Sequence, residues 1–512
     1  MSRATGPRRG TPGAPGRPGP PRAPRRRLPA LLLCTALLLG GCDTGGDGTD
    51  NTRRGADATC DGRIDAPTQI TMWFHTPAAR GELEAVRAQV SAFNTSQDEV
   101  RVRLVRLPEG DYGDLVRTAA DDGELPDLLD FDAPKLFSHA WAGDLRPIDS
   151  CVPEALRADL LPSVLEQGTY RGRLWGLGTF DSGLGLYVRP SVLRKAGVRV
   201  PKGTGDAWTA EEFTGILKKL RALGYERPLD LQLTWAGTEW GTYGFAPAVW
   251  SAGGDLIERP TYRTADGVLN GPQSVKALTT LQGWAKAGYV DENKDFDAFQ
   301  KGRSPVSWTG HWWLRRYTEA HPDDVALVPL PDFGTGPATG MGSWQWGIPA
   351  GAADGDAVWR FLAFLLRPDE ILRLTDANGG IPATGTAIER TEAFADDGPG
   401  RLYIEQLRNG TARPRPQTPA YPAITEAFAR AFEKIMRGAA VKPALDEAVR
   451  AVDKNLADHG HYPRPGREAR PCSAHRPATE APPRARPWRD SAAARRTPTP
   501  PRSWPGFASA PS

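Results

Sequence analysis

The strongest fold signal is the segment 69-QITMWFHTPAARGELEAVRAQVSAFNTSQDEVRVRLVRL-107. Residues 69–74 are rich in β-branched and aromatic side chains, which is typical of a buried strand. Residues 81–94 then repeat apolar side chains at helical spacing, and residues 100–107 alternate apolar with basic side chains. A strand, a helix and a second strand in this order predict a parallel sheet covered by helices.

Strand and helix signals continue to alternate up to about residue 462. Thr209 and Glu212 have the spacing of a capping box, at the start of a predicted helix that extends to Leu223. The roughly 400 residues of this body are too many for a single hydrophobic core. We therefore expect an α/β protein with two lobes.

The N-terminal residues predict export. Arg25, Arg26 and Arg27 precede an apolar run over residues 28–39, which ends in Leu39-Gly-Gly-Cys42. This arrangement is typical of a secretory leader and resembles the lipobox of bacterial lipoproteins. We expect residues 1–42 to form the leader and residues 43–64 to form a flexible tether. A lipid on Cys42 would anchor the protein to the extracellular face of the cell membrane.

Charge is distributed unevenly between the ends and the body of the chain. Residues 463–512 are mostly Pro, Arg and Ala, which bury too little apolar surface to fold, so we expect a disordered tail. The whole chain has 64 basic and 61 acidic residues, but the residues between 42 and 463 hold 46 basic and 58 acidic ones, a net charge of −12. The basic excess belongs to the ends, and we expect no nucleic-acid partner.

The chain has five cysteines. Cys34 lies in the leader, Cys42 is the expected lipidation site and Cys472 lies in the tail. Cys60 and Cys151 are the two that remain in the body, and in an exported protein we expect them to form a disulfide.

Several segments, in order, resemble the maltose-type family of bacterial extracellular solute-binding proteins, which serve ABC sugar importers. They include Thr71-Met-Trp-Phe-His75, Pro126-Asp-Leu-Leu-Asp130, Gly185-Leu-Tyr-Val-Arg189, Trp208-Thr-Ala-Glu-Glu-Phe213, Ser251-Ala-Gly-Gly254 and Gly380-Ile-Pro-Ala383. The resemblance covers nearly the whole body. His75 and the pair Trp312-Trp313 depart from the general family pattern, which points to an unusual ligand.

The resemblance implies an α/β, two-lobed periplasmic-binding-protein-like fold with hinge strands and a ligand cleft that closes on the ligand. We place the first lobe at residues 65–182 with 326–366, and the second at residues 183–325 with 367–462. It also implies a monomer without cofactor, metal or catalytic residues. Such a protein delivers its ligand to the permease subunits of an ABC importer.

The abundance of tryptophan favours a saccharide as the ligand. Fourteen of the 16 tryptophans lie in the body, and a pyranose requires flat aromatic platforms together with planar hydrogen-bonding groups. The candidate ligand-binding residues lie at predicted strand ends and in loops that face the cleft. They are Trp73, His75, Asp132, Asp181, Trp235, Glu239, Trp240, Tyr243, Trp308, Trp312, Ser343 and Trp344.

Three other functions stay open on the sequence: a binding protein for a non-sugar solute, a sensory receptor and a secreted glycosidase. A glycosidase requires two carboxylates beside the scissile bond, and no catalytic motif accompanies the many acidic residues here. Residues 291–302 begin like a calcium loop. Phe296 replaces its required Gly and Gly302 replaces its required Glu, so we expect no metal there.

Overall fold

The computed structural model describes residue 60, residues 62–76 and residues 80–463. The predicted leader with Cys42, most of the predicted tether and the predicted tail after Pro463 lie outside these residues. In the described part of the chain, no helix combines the length and the apolar character that crossing a bilayer requires.

The strands of the described residues, in chain order, are β1 (Thr68–Thr76), β2 (Val100–Pro108), β3 (Leu128–Asp132), β4 (Thr169–Tyr170), β5 (Arg173–Leu174), β6 (Gly176–Leu177), β7 (Phe180–Asp181), β8 (Leu184–Val188), β9 (Leu229–Asp230), β10 (Val290–Asp291), β11 (Val306–Gly310), β12 (Ala326–Val328), β13 (Thr339–Met341), β14 (Trp344–Gly347), β15 (Ile381–Pro382) and β16 (Ala412–Pro414).

The α-helices are α1 (Arg80–Ser96), α2 (Glu109–Asp122), α3 (Leu136–Ala142), α4 (Glu154–Asp159), α5 (Pro162–Gly168), α6 (Pro190–Lys195), α7 (Ala210–Ala222), α8 (Glu239–Ser251), α9 (Pro272–Lys286), α10 (Leu314–Ala320), α11 (Gly355–Leu365), α12 (Pro368–Asn378), α13 (Gly385–Ile388), α14 (Arg401–Arg408), α15 (Tyr421–Met436) and α16 (Val441–Asp458). Short 3-10 helices cover Ala133–Lys135, Asp149–Cys151, Thr204–Asp206, Leu233–Trp235, His311–Trp313 and Glu392–Phe394.

The first lobe is built on a five-stranded sheet in the order β2-β1-β3-β14-β6. β1 pairs in parallel with β2, as the opening segment predicts, and also with β3, while β14 runs antiparallel to β3. Alternate residues of β1, including Ile70 and Phe74, pack with apolar side chains of α1, α11 and α12 in one buried cluster.

The second lobe is built on a separate five-stranded sheet in the order β10-β9-β11-β8-β12. β9 pairs in parallel with β10 and β11, while β8 runs antiparallel to β11 and β12. Its core contains four fully buried tryptophans, namely Trp208, Trp250, Trp284 and Trp308.

Two short ribbons lie where the chain crosses between the lobes. β7 pairs with β15, and β13 pairs with β16. The first crossing follows β7, close to the predicted position after residue 182.

The other two predicted lobe boundaries, at residues 326 and 366, differ from the structure. β12 is the edge strand of the second sheet because Ala326 pairs with Val188, so the chain returns to the first lobe only between β13 and β14. α12 still belongs to the first lobe, since Ile371 and Leu374 are buried in its core. Pro368 starts a new helix of the same lobe there, and its position at the first helical turn explains why the break resembles a domain boundary.

Two local predictions have direct counterparts in the structure. Cys60 and Cys151 are joined by a disulfide with a Cα–Cα distance of 4.9 Å, which fastens the segment before β1 to the 3-10 helix at Asp149–Cys151. The Thr209 hydroxyl accepts a hydrogen bond from the Glu212 backbone N–H at 3.0 Å, and α7 begins there. The Glu212 carboxylate pairs with Arg199 instead of completing the capping box.

Candidate ligand-binding site

The facing strand ends of the two lobes bring several candidate residues together. In the first lobe β3 ends at Asp132, and in the second lobe β11 leads into His311–Trp313 while α8 begins at Glu239. Ligands of open α/β sheets bind outside the carboxyl ends of the strands. The site is therefore formed by strand ends and by the first turns of the helices around them.

A buried arginine connects the two lobes at the centre of this site. Arg415 follows β16, and its side chain is 3% exposed. Its two terminal nitrogens donate to the two carboxylate oxygens of Asp132 at 2.8 and 2.7 Å, and Nη1 also donates to Glu239 Oε1 at 2.7 Å. Asp132 belongs to the first lobe and Glu239 to the second, so one guanidinium spans the cleft.

Groups of the second lobe hold both Arg415 and Glu239. The guanidinium lies over the rings of Tyr243 and Tyr421, at 4.7 and 5.9 Å from their centroids. The hydroxyls of Tyr421 and Thr425 donate to the Glu239 carboxylate. Burial lowers the pKa of Arg415, but the charges of Asp132 and Glu239 raise it well above its ordinary value, so the guanidinium stays charged.

Two glycines allow the crossing strand to pass close to this bridge. Gly342 has φ +125°, and a Cβ at this position would lie 2.9 Å from Arg415 Nη2. A Cβ on Gly340 would lie 2.8 Å from the Tyr243 ring. A side chain at either position would therefore push the β13 segment away from the site.

A small cavity of about 10 Å³ lies between the lobes beside Arg415. It is lined by Ala133, Pro134, Phe137, Gln167, Met341, Gly342, Pro414, Arg415 and Gln417. Cavities that enclose drug-sized ligands measure about 300–1,000 Å³. The cleft is therefore nearly closed in this conformation.

Three aromatic residues of the second lobe, Trp240, Tyr243 and Trp312, form a cluster next to the bridge. The Trp312 ring lies 6.0 Å from that of Trp240 and 6.3 Å from that of Tyr243, at interplanar angles of 85° and 35°. Trp312 remains 36% exposed, and it lies against Gly310, where a Cβ would be 2.2 Å from the indole. This aromatic cluster offers a partly exposed indole beside charged hydrogen-bonding groups.

The first lobe contributes a stacked pair, His75 and Trp344. Their rings are 3.5 Å apart and nearly parallel, and Trp344 pairs with Asp132 across the β14–β3 ladder. His75 Nδ1 donates to Asp130 Oδ2 at 2.5 Å. Burial lowers the pKa of His75, but the charge and hydrogen bond of Asp130, together with the charges of Glu82 and Glu109, raise it, and the net shift is upward. His75 thus supports the half-buried Trp344 from behind.

Some predicted ligand contacts have structural roles instead, and here the structure corrects the sequence. Trp308 is 0% exposed in the second-lobe core, where its indole N–H donates to the Gly244 carbonyl at 3.0 Å. Asp181 is also 0% exposed and accepts bonds from the backbone N–H groups of Ser182 and Gly342. These bonds hold two crossing segments together, so neither side chain is accessible to a ligand.

Ser343 and His75 are also buried, at 3% and 2% exposure, so neither side chain is open to a ligand in this conformation. The Ser343 hydroxyl donates to the Phe180 carbonyl within the crossing region. Trp73 is half-buried against first-lobe apolar residues. Trp235 is 47% exposed and stacks on Phe296 at 5.8 Å, in the loop that follows β9.

The structure thus brings together Asp132, Glu239, Trp240, Tyr243 and Trp312, with Trp344 beside Asp132. Arg415 was not among the predicted site residues. Its only sequence signal is a basic residue inside the Pro-rich segment Pro414-Arg-Pro416, which gives no indication of burial.

Metal binding has no structural counterpart in the residues described. No group of three or more His, Cys, Asp or Glu side chains in this part of the chain is placed to hold an ion. In the calcium-like segment, Asp295 pairs with Lys301 and Arg303, and these bonds lower the pKa of its carboxyl.

Two lobes on separate sheets, joined by crossing strands around a cleft with aromatic and charged walls, define a two-lobed solute-binding protein. Residues 88–399 match the family model described as bacterial extracellular solute-binding protein. The chain belongs to this family, and the predicted family and fold class are confirmed.

Relatives and solved structures agree with this assignment. A lipoprotein of Streptomyces antibioticus, itself uncharacterized, is 23% identical over 385 residues, which are 72% of this chain and 79% of the relative. The maltotriose-binding protein of Pyrococcus abyssi is 21% identical over 350 residues, 64% of this chain and 69% of the relative. The crystal structure of the cyclic alpha-maltosyl-1,6-maltose binding protein of Arthrobacter globiformis is 25% identical, covers 77% of this chain and 100% of its own, and has a TM-score of 0.62.

Proposed function

We propose that this protein captures a saccharide between its two lobes and delivers it to the permease subunits of an ABC importer, while a lipid on Cys42 anchors it to the extracellular face of the cell membrane. The observation that carries the proposal is the aromatic cluster of Trp240, Tyr243 and Trp312 beside the Asp132–Arg415–Glu239 bridge. The protein acts as a monomer and uses no cofactor.

The chemistry of the site suits a sugar ring. The partly exposed face of Trp312 can cover the apolar C–H face of a pyranose, and carboxylates can each accept bonds from two neighbouring hydroxyls. Trp344 offers a second aromatic surface on the opposite lobe, beside Asp132. A ring held between the two lobes would contact both, and its binding energy would favour the closed form.

The names of the relatives narrow the substrate class. Two of them are named for maltotriose and for a cyclic maltosyl-maltose, which are both built from glucose. We therefore propose a neutral glucose oligosaccharide as the ligand to test first.

Neighbouring tryptophans provide a matched test of the binding site. Trp312 belongs to the aromatic cluster, whereas Trp313 stacks on Tyr317 at 5.5 Å in a separate apolar cluster. Calorimetric titration of the chain from residue 43 onward with maltotriose should show that Trp312→Ala weakens binding by about 1–3 kcal/mol. Trp313→Ala should leave the affinity unchanged. Equal effects of the two substitutions would remove the aromatic cluster from the site.

The anchor is tested separately. The basic cluster and the Leu39-Gly-Gly-Cys42 sequence support lipidation, and one relative is itself a lipoprotein. Cys42→Ser should move the protein from the membrane fraction to the medium of the expressing cells. Retention in the membrane fraction would contradict the lipid anchor.

A further inference from the structure

In the Asp132–Arg415–Glu239 bridge, Arg415 makes more contacts with the second lobe than with the first. On the second lobe Arg415 contacts Glu239 and the rings of Tyr243 and Tyr421, and Glu239 has further donors in Tyr421 and Thr425. On the first lobe its only ion-pair partner among the described residues is Asp132. Separation of the lobes would therefore leave Arg415 with the second lobe and break its two bonds to Asp132.

We propose that the Asp132–Arg415 pair is a latch that closes the cleft, so that closure has an ionic contribution that belongs to the protein and not to the ligand. The latch regulates the proposed binding site, and it therefore rests on the proposed function. Arg415 is in this sense a positioning residue, since it sets the ratio of closed to open protein before the ligand binds.

The geometry favours a latch over a static structural bond. The two charges belong to different lobes. The pair is bidentate, and its two parallel N–H···O bonds form only at one relative placement of the lobes. The pair is also shielded, at 3% exposure for Arg415 and 14% for Asp132. Gly342 leaves room for the guanidinium beside the crossing strand, so the latch closes directly against a hinge segment.

The latch has a consequence for ligand affinity. A ligand that binds only the closed form has a lower apparent affinity when part of the unliganded protein is open. Loss of the latch should lower the apparent affinity by the factor by which it lowers the closed fraction of the unliganded protein, and typical couplings between sites are about 5–150-fold.

The test compares Asp132→Asn with the loss of a partly buried ion pair that lies within one lobe. Asp324 pairs with Arg189 at 2.7 Å, and both residues belong to the second lobe. Small-angle X-ray scattering of the chain from residue 43 onward, without added sugar, should give a larger radius of gyration for Asp132→Asn and an unchanged one for Asp324→Asn. Arg415→Lys keeps the charge but loses the bidentate geometry, and it should also open the cleft.

Each outcome decides the proposal. A larger radius for Asp132→Asn and Arg415→Lys, with an unchanged radius for Asp324→Asn, supports the latch even if no sugar binds, because the measurement needs no ligand. Unchanged scattering of all three variants would overturn it, and lost affinity in Asp132→Asn would then identify Asp132 as a plain ligand contact. A larger radius for Asp324→Asn as well would overturn it too, since the effect would be a general loss of stability.

Discussion

His311 connects three parts of the molecule through a neutral imidazole. It follows β11 in the second lobe and is 3% exposed. Its Nδ1–H donates to the Asn378 carbonyl of the first lobe at 3.2 Å, and its Nε2 accepts from the hydroxyl of Ser182, in the first crossing, at 3.0 Å. Burial lowers the pKa of His311 to about 4, although hydrogen bonds with the backbone at Asn378 and Gly379 oppose this shift.

This shift makes the stability of the fold depend on pH with a definite sign. The pKa of His in an unfolded chain is about 6.5. Because the folded pKa is lower, the unfolded chain takes up the proton first, and the stabilisation is complete above about pH 6.5 and lost as the pH falls towards 4. Proton linkage gives a loss in the free energy of unfolding of about 2 kcal/mol at pH 5 and about 3 kcal/mol at pH 4, relative to pH 8.

The substitution His311→Gln isolates this contribution. Gln can accept the Ser182 bond and does not titrate. Other buried groups, such as Asp230, whose pKa is raised to about 6 mainly by burial, titrate in both proteins and cancel in the difference. Urea unfolding between pH 8 and 4 should show wild type losing about 2 kcal/mol relative to the variant by pH 5. A difference that stays constant to within about 0.5 kcal/mol over this range would refute the reasoning.

Two further predictions concern the disulfide and the crossing strand. The Cys60–Cys151 disulfide closes a separation of 91 residues, so reduction should lower the free energy of unfolding by about 4–5 kcal/mol, as measured by urea unfolding with and without reductant; a loss below about 1 kcal/mol would contradict a constraint on the unfolded chain. Gly342→Ala should cost about 1–3 kcal/mol in stability and also weaken sugar binding, because the residue has a φ of +125° and its new Cβ would meet Arg415. Gly351→Ala has open space around the new Cβ and should be neutral in the same thermal and binding assays. Equal behaviour of the two variants would refute this reasoning.

The first half of each lobe could be predicted because its signals are local. The β1–α1–β2 segment shows both hydrophobic periods within about 40 residues, and the Thr209 cap needs only its own helix. The family resemblance likewise rests on short segments in order. None of these inferences required knowledge of long-range contacts.

The centre of the site could not be predicted because long-range contacts create it. Arg415 is 283 residues from Asp132 and 176 from Glu239 along the chain, and its segment shows no periodicity. Trp308 and Trp312 lie four positions apart in similar Gly- and Thr-rich sequence, yet the first is in the core and the second is 36% exposed. Trp308 lies on β11, where its indole N–H reaches the Gly244 carbonyl of α8, whereas Trp312 lies in the 3-10 helix that follows the strand. The local sequence does not reveal this difference.

Saccharide binding in the cleft is tested by one measurement, a thermal-shift screen of the chain from residue 43 onward against mono- and oligosaccharides, amino acids, peptides and polyamines, with Trp312→Ala beside wild type. A ligand at 100 times its dissociation constant stabilises the folded state by about 2.7 kcal/mol, which is readily detected. We expect a saccharide to raise the melting temperature of wild type, and to raise that of Trp312→Ala less. A polyamine or peptide that stabilises the protein while every saccharide is silent would contradict the proposed substrate class and leave the two-lobed binding fold in place.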